Sequence, residues 1–281
     1  MPAKIIDGKA IAQKIRENIK QQVAPMKTKP GLAVVRVGND PASIVYVNSK
    51  EKACQDAGFY SEKYELKEDI QEKDLLKQIS KLNKDKKLHG ILVQLPLPAH
   101  ISQQKVLEAI SPEKDVDGFN PVNFGRLLSG NKYLYPATPK GVVRLLDEIG
   151  CKIAGKHVVV IGRSNIVGKP VAVLLLERDA TVTICHSKTK NLIDECRKAD
   201  ILISAVGKKC LVSKEMVKQG AVVIDVGITR ENGKLFGDVD FDDVKKVASW
   251  ITPVPGGVGP MTIAMLLENT LVAKRHIDDN K

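Results

Sequence analysis

Tyr46 and Lys50 stand four residues apart in a segment of helical character, so a phenol and an amine share one helix face. Gln94 lies inside the apolar run Ile91-Leu92-Val93-Gln94-Leu95-Pro96-Leu97-Pro98, and Asp115 and Asp117 place two carboxylates in the turn Asp115-Val116-Asp117-Gly118-Phe119-Asn120. Amine, phenol, amide and carboxylate are the groups from which proton transfer and ligand orientation are built. Singly, most have an ordinary explanation: Lys50 as a solvated lysine, Tyr46 as packing, Asp117 as a turn former. Gln94 alone is out of place, since an amide buried without a partner costs about 1–3 kcal/mol.

A second set lies in Val159-Val160-Ile161-Gly162-Arg163-Ser164-Asn165-Ile166-Val167-Gly168-Lys169-Pro170, which reads as a strand, a glycine-bearing turn and a helix. Such a turn lets backbone amides and a helix N-terminus face a pyrophosphate. It departs from G-x-G-x-x-G because Ser164 holds the second glycine position, and a βα turn without a ligand is the competing explanation. The next strand ends in Cys185-His186-Ser187-Lys188-Thr189, with no acid. A free ribose 2′-hydroxyl calls for Asp or Glu there, whereas a 2′-phosphate calls for cationic and hydroxyl groups. The guanidinium of Arg163 forks onto phosphate oxygens, so the pattern predicts NADP over NAD. A surface ion pair for Arg163 and a plain turn role for Ser187 are the alternatives.

The elements that position these groups alternate. Ile11, Ile15, Ile19 and Val23 form one stripe on a helix from Asp7 to about Met26. A buried strand over Leu32–Gly38 follows, then a helix capped by Asp40 with Pro41 in its first turn, ending near Gly58. A polar helix over Gln71–Leu82 precedes a strand from Gly90 to Leu95. After a connection at 125–136, a helix over Thr138–Gly150 opens a second series. Its strands are His157–Ile161, Thr181–Cys185, Ile201–Val206 and Ala221–Val226, with a helix over Gly168–Arg178 and a last one over Met261–His276. Strands separated by helices predict βαβ units and parallel sheets. The expected division is 1–138, joined by the C-terminal helix 262–281, and 139–261.

At 281 residues, 43% hydrophobic and 27% charged, the chain has the composition of a two-domain globular protein. Aromatics are 4%, with one tryptophan, which argues against a stacking platform for single-stranded nucleic acid. The net charge of +11 is spread along the chain, without the basic stripe that duplex binding uses. No apolar run reaches the ~20 residues that span a bilayer, and the first residues are too short and polar for a signal peptide. Five scattered cysteines without a C-x-x-C pair read as free thiols in a reducing cytosol, hence a cytoplasmic protein with no metal site.

Tyr46-Val47-Asn48-Ser49-Lys50, Gln94-Leu95-Pro96-Leu97-Pro98, Lys114-Asp115-Val116-Asp117-Gly118-Phe119, Gly162-Arg163-Ser164-Asn165-Ile166-Val167-Gly168 and Thr252-Pro253-Val254-Pro255-Gly256-Gly257-Val258-Gly259-Pro260-Met261-Thr262 occur in this order. Together they resemble the bifunctional methylenetetrahydrofolate dehydrogenase/methenyltetrahydrofolate cyclohydrolase family, from about Asp7 to the last helix. One departure is Ala137, where many members carry cysteine. The resemblance implies two α/β domains with a cleft between them, a folate-binding catalytic domain and a Rossmann-like NADP-binding domain. It implies oxidation of 5,10-methylenetetrahydrofolate by NADP, then hydrolysis to 10-formyltetrahydrofolate; a monofunctional dehydrogenase, with Lys50 only positioning substrate, is the alternative. Lys50, Gln94, Asp117 and Tyr46 become the catalytic and folate-binding residues, with Gly257 and Pro260 also against substrate. Gly162, Arg163, Ser164, Ile166, Gly168, Ser187 and Ile228 become the cofactor contacts. Tetrahydrofolate derivatives and a second copy of the chain, in a homodimer through the second domain, are the implied partners, with neither nucleic acid nor membrane among them.

Overall fold

The computed structural model describes residues 2–131 and 133–280, which form two α/β units. One comprises Gln13–Ala137 with the residues from Ile263 onward and carries Lys50; the other comprises the residues up to Ala12 with Thr138–Thr262 and carries Gly162. The division differs from the expected one at the N-terminus. The two-residue strand Lys4–Ile5 pairs in parallel with Trp250–Ile251, and Ile6 beside it is buried. So short a strand has no periodicity to read.

In the Lys50 unit, three parallel strands run in the order Tyr60–Leu66, Gly31–Val37, Gly90–Val93. The central strand is buried at every residue, as its mostly apolar sequence requires, and its one charged residue, Arg36, is paired with Glu65 at 2.7 Å. Leu75, Ile79 and Leu82 of the helix Glu72–Lys84 close the core over Ala33, Val35, Ile91 and Val93. Tyr60–Leu66 has no counterpart among the expected strands: its Tyr-Ser-Glu-Lys-Tyr-Glu-Leu sequence is polar because it is an edge strand with most residues half-exposed. The strand from Gly90 stops at Val93, not Leu95, so Gln94 is the first residue beyond it. Its N–H still donates to Val35 O, after which Pro96 offers no donor to extend the ladder.

In the Gly162 unit, six parallel strands run in the order Lys4–Ile5, Trp250–Ile251, Val222–Asp225, Ile201–Ser204, His157–Ile161, Thr181–Cys185. The chain leaves His157–Ile161 for the strand on one side and then crosses to Ile201–Ser204 on the other. The strand order therefore reverses at His157–Ile161, the switch point where open α/β sheets bind ligands beyond their carboxyl ends. All five cysteines are free thiols. Among the described residues no helix is long and apolar enough to cross a membrane, and no cluster of side chains is arranged to hold a metal ion.

Candidate active site

Lys50 sits on the helix Pro41–Asp56, whose start is set by Asp40: its Oδ2 accepts the Ser43 N–H at 2.7 Å, and Pro41 occupies the first turn. Tyr46, one turn earlier, is 37% exposed, whereas Lys50 is 7% exposed. Lys50 Nζ donates to Gln94 Oε1 at 2.9 Å, and Gln94 Nε2 donates to Leu95 O at 2.7 Å, which orients the amide with its oxygen toward the amine. Burial pushes the Lys50 ammonium below its usual range, against the opposing pull of Asp117 and then Cys54. Burial raises the Asp117 carboxyl, and Lys50 draws it back. The structure thus joins Lys50, Gln94 and Asp117 into one electrostatic group with Tyr46 on the same helix.

The two carboxylates of the 115–120 turn have different tasks. Asp115 is buried and accepts from Phe119 N, Asn120 N and Asn123 Nδ2 at 3.2, 2.8 and 2.9 Å, so it shapes the turn. The Asp117 carboxylate accepts no hydrogen bond among the described residues, which leaves its oxygens for a ligand, while its backbone carbonyl accepts from Ala137 N at 3.3 Å. Gly118, at φ +73°, completes the turn: a Cβ there would lie 2.5 Å from Pro136 N.

Burial raises Asp115 to about 6, opposed by its hydrogen bonds to Asn123, Asn120 and Phe119, with Asp117 adding to the rise. Its folded value thus exceeds the usual 3.8. Its stabilisation is complete below that value and is lost as pH rises through about 6, by about 3 kcal/mol for two units. Asp115→Asn cannot titrate. Urea unfolding at pH 4 to 8 is expected to show the parent losing stability relative to the variant by that order; a constant difference would contradict it.

The turn at Gly162 is steric in origin. Gly162 has φ +119°, and a Cβ on it would lie 2.4 Å from Ala205 O on the adjoining loop. A Cβ on Gly168 would lie 2.2 Å from Gly162 O, so the helix Gly168–Leu176 starts hard against the strand end. Ser164, at the position usually glycine, has its own reason: its Oγ accepts from Val167 N and Gly168 N at 3.1 and 3.2 Å, which ties the turn to the start of the helix. The hydroxyl proton remains to be donated outward. Arg163 is exposed and forms no ion pair among the described residues, which removes the surface-pair explanation. Ile166 is half-buried on the same turn. Beyond the next strand, Ser187 is exposed in a tight turn in which His186 N donates to Thr189 Oγ1 and Thr189 N to His186 O, both at 2.8 Å. A free guanidinium and two hydroxyls on exposed turns fit a phosphate-rich dinucleotide.

Ile228, 40% exposed, follows the strand Val222–Asp225. Gly257 is buried, with Pro253 O 2.6 Å from where its Cβ would stand and its own carbonyl 1.9 Å from a Cβ on Gly8. Its lack of a side chain is therefore explained by packing against protein backbone. Pro260 lies in the first turn of the helix Val258–Asp279.

Two family descriptions match the chain: the catalytic domain of tetrahydrofolate dehydrogenase/cyclohydrolase over residues 6–117, and the NAD(P)-binding domain of the same enzyme over residues 136–277. The chain belongs to the tetrahydrofolate dehydrogenase/cyclohydrolase family. The bifunctional protein FolD of Moorella thermoacetica is 59% identical over 98% of this chain and 100% of its own length. The bifunctional FolD enzyme of Campylobacter jejuni superposes with a TM-score of 0.95 at 50% identity, covering 98% of this chain and 99% of that one. The Trypanosoma brucei methylenetetrahydrofolate dehydrogenase-cyclohydrolase, solved with NADP cofactor and an inhibitor, does so with a TM-score of 0.95 at 41% identity, covering 99% of each.

Within this dehydrogenase/cyclohydrolase, the sequence signals missed two buried aspartates. Asp225 ends an apolar strand and Asp238 follows the hairpin Thr229–Glu231/Lys234–Phe236. Asp225 was legible as an acid closing a buried run, but nothing local indicates that its partners lie thirteen residues on. Burial pushes Asp225 up to about 7, opposed by the N–H groups of Val239 and Asp238, while the Asp238 charge raises it further.

Proposed function

We propose that this chain oxidises 5,10-methylenetetrahydrofolate with NADP and hydrolyses the resulting methenyl cation to 10-formyltetrahydrofolate. The observation that carries the second step is the buried Lys50, held by Gln94 and lowered in pKa within a family of dehydrogenase/cyclohydrolases. Hydride loss from the methylene carbon leaves a cation shared by two ring nitrogens, so this step asks for alignment and not for a base. NADP, when bound, accepts that hydride. Arg163, Ser164 and Ser187 would hold its phosphates, and Ile166 and Ile228 would line it.

Hydrolysis needs proton handling. Neutral Lys50 takes a proton from the water that adds to the methenyl carbon, aided by Gln94. It returns that proton to the ring nitrogen as the carbon–nitrogen bond breaks, and the remaining hydroxyl proton leaves to solvent as the formyl C=O forms. Asp117 accepts from the ring N–H and amino group of the pterin, and Tyr46 offers a flat face to the folate.

Following absorbance during turnover of methylenetetrahydrofolate tests both steps: formyl product is expected, whereas methenyl accumulation would mark a monofunctional dehydrogenase. NADP is expected to give the higher kcat/KM. Arg163→Ala should lower the NADP value about tenfold to a hundredfold, the worth of a charged hydrogen bond of about 1.5–3 kcal/mol, and leave NAD nearly unchanged. Equal losses with both nucleotides would remove Arg163 from the 2′-phosphate. The same reading includes a cytoplasmic protein, supported by five free cysteines, and a homodimer through the Gly162 unit. Ile184, 39% exposed on the edge strand Thr181–Cys185, supports the latter; equilibrium sedimentation would give the mass.

A further inference from the structure

We infer that Asp238 and Asp225 are positioning residues of the dehydrogenase step, two buried carboxylates that fix the loops beyond the strands Ile201–Ser204 and Val222–Asp225 against the nicotinamide. The inference rests on the reading that the Gly162 unit binds NADP. Asp238 is fully buried; its Oδ2 accepts from Ser204 Oγ at 2.9 Å and Val206 N at 2.8 Å, and its Oδ1 accepts from Lys208 N at 2.7 Å. Asp225 Oδ1 accepts from Gly227 N and Asp238 N, both at 3.0 Å, and its Oδ2 accepts from Val239 N at 2.9 Å. One carboxylate therefore clamps the loop 204–208, the other clamps Gly227, and Asp238 N–H to Asp225 links them.

A buried carboxylate is costly unless its oxygens are satisfied, so such a pair is out of proportion to joining two short loops. Room for it has been cleared: a Cβ on Gly227 would lie 2.0 Å from Asp238 Oδ1, and one on Gly237 would lie 1.9 Å from Asp225 Oδ2. The clamped loops carry two exposed apolar side chains, Val206 at 41% and Ile228 at 40%. They follow neighbouring strands in register, Ser204 opposite Asp225, at the carboxyl edge beyond which open α/β sheets bind their ligands. The same loop presents Ala205 O to Gly162, so its height also sets the space at the pyrophosphate turn.

Asp238→Asn puts an NH2 where at least one N–H donor now points. NADP affinity, read by fluorescence titration with NADPH and by the KM for NADP, is expected to weaken about tenfold or more. Hydrolysis of supplied methenyltetrahydrofolate should stay within twofold of the parent. A merely structural role would lower both activities together. A folded Asp238→Asn protein with unchanged nucleotide affinity, or with parallel loss of both activities, overturns the inference. Should that variant not fold, Ser204→Ala removes one donor and keeps the carboxylate; a two- to fivefold loss of affinity supports the inference, and none overturns it. A parent protein that fails to bind NADPH overturns the NADP reading itself, which is seen before any variant is made.

Discussion

Lys50→Met is expected to stop hydrolysis of methenyltetrahydrofolate, by a factor of about 10²–10⁴, while NADP reduction continues and the methenyl compound accumulates. The substitution keeps the length of the side chain and removes only the group that exchanges a proton. Hydride transfer needs no such group, so the two activities should separate in one protein. Burial lowers the Lys50 pKa, so the folded state binds fewer protons than the unfolded chain between the folded value and 10.5. Lys50 therefore weakens the fold most at low pH, and this penalty fades as pH rises through its folded pKa. Lys50→Met should consequently be at least as stable as the parent near neutral pH, which thermal melting checks. The parent's hydrolysis should also rise with pH along a limb lying below the ordinary lysine range. Asp117 holds that limb up, so residual hydrolysis in Asp117→Asn should show it displaced to lower pH. Full hydrolytic turnover in a folded Lys50→Met protein would remove Lys50 from the chemistry.

Gly162→Ala is expected to lower kcat/KM for NADP about a hundredfold or more and to leave hydrolysis of supplied methenyltetrahydrofolate largely intact. Two costs add. Gly162 has φ +119°, which strains a side-chain-bearing residue by about 1–3 kcal/mol. The new Cβ would also stand 2.4 Å from Ala205 O, in backbone that has no flexible end to yield. Relief requires the turn or the 205 loop to move, and both border the proposed cofactor site. The opposite pattern to Lys50→Met, with oxidation lost and hydrolysis kept, would show that each unit supplies one activity's essential group. Unaltered NADP kinetics in Gly162→Ala would place the dinucleotide elsewhere. Calorimetry should show a lower Tm, since the strain is present with or without nucleotide.

What the sequence determined by itself was local. The four-residue spacing of Tyr46 and Lys50, the Asp40 cap with Pro41, and the strand–glycine–helix at Gly162 are set by neighbours a few residues apart. Backbone preference and side-chain periodicity act over that range. Gln94 was legible as an amide in an apolar run, but its bond to Lys50 spans 44 positions of chain and exists only once the helix packs on the sheet. Tertiary structure alone divided the work of the two turn carboxylates, giving Asp115 to the backbone and leaving Asp117 open. It also recruited residues 4–5 into the Gly162 unit's sheet, made a strand of the polar 60–66 segment, and buried Asp225 and Asp238 together. These outcomes depend on desolvation and on donors supplied from distant segments. A carboxylate's partners and its pKa are properties of where it is buried, and that place is assigned by the whole fold.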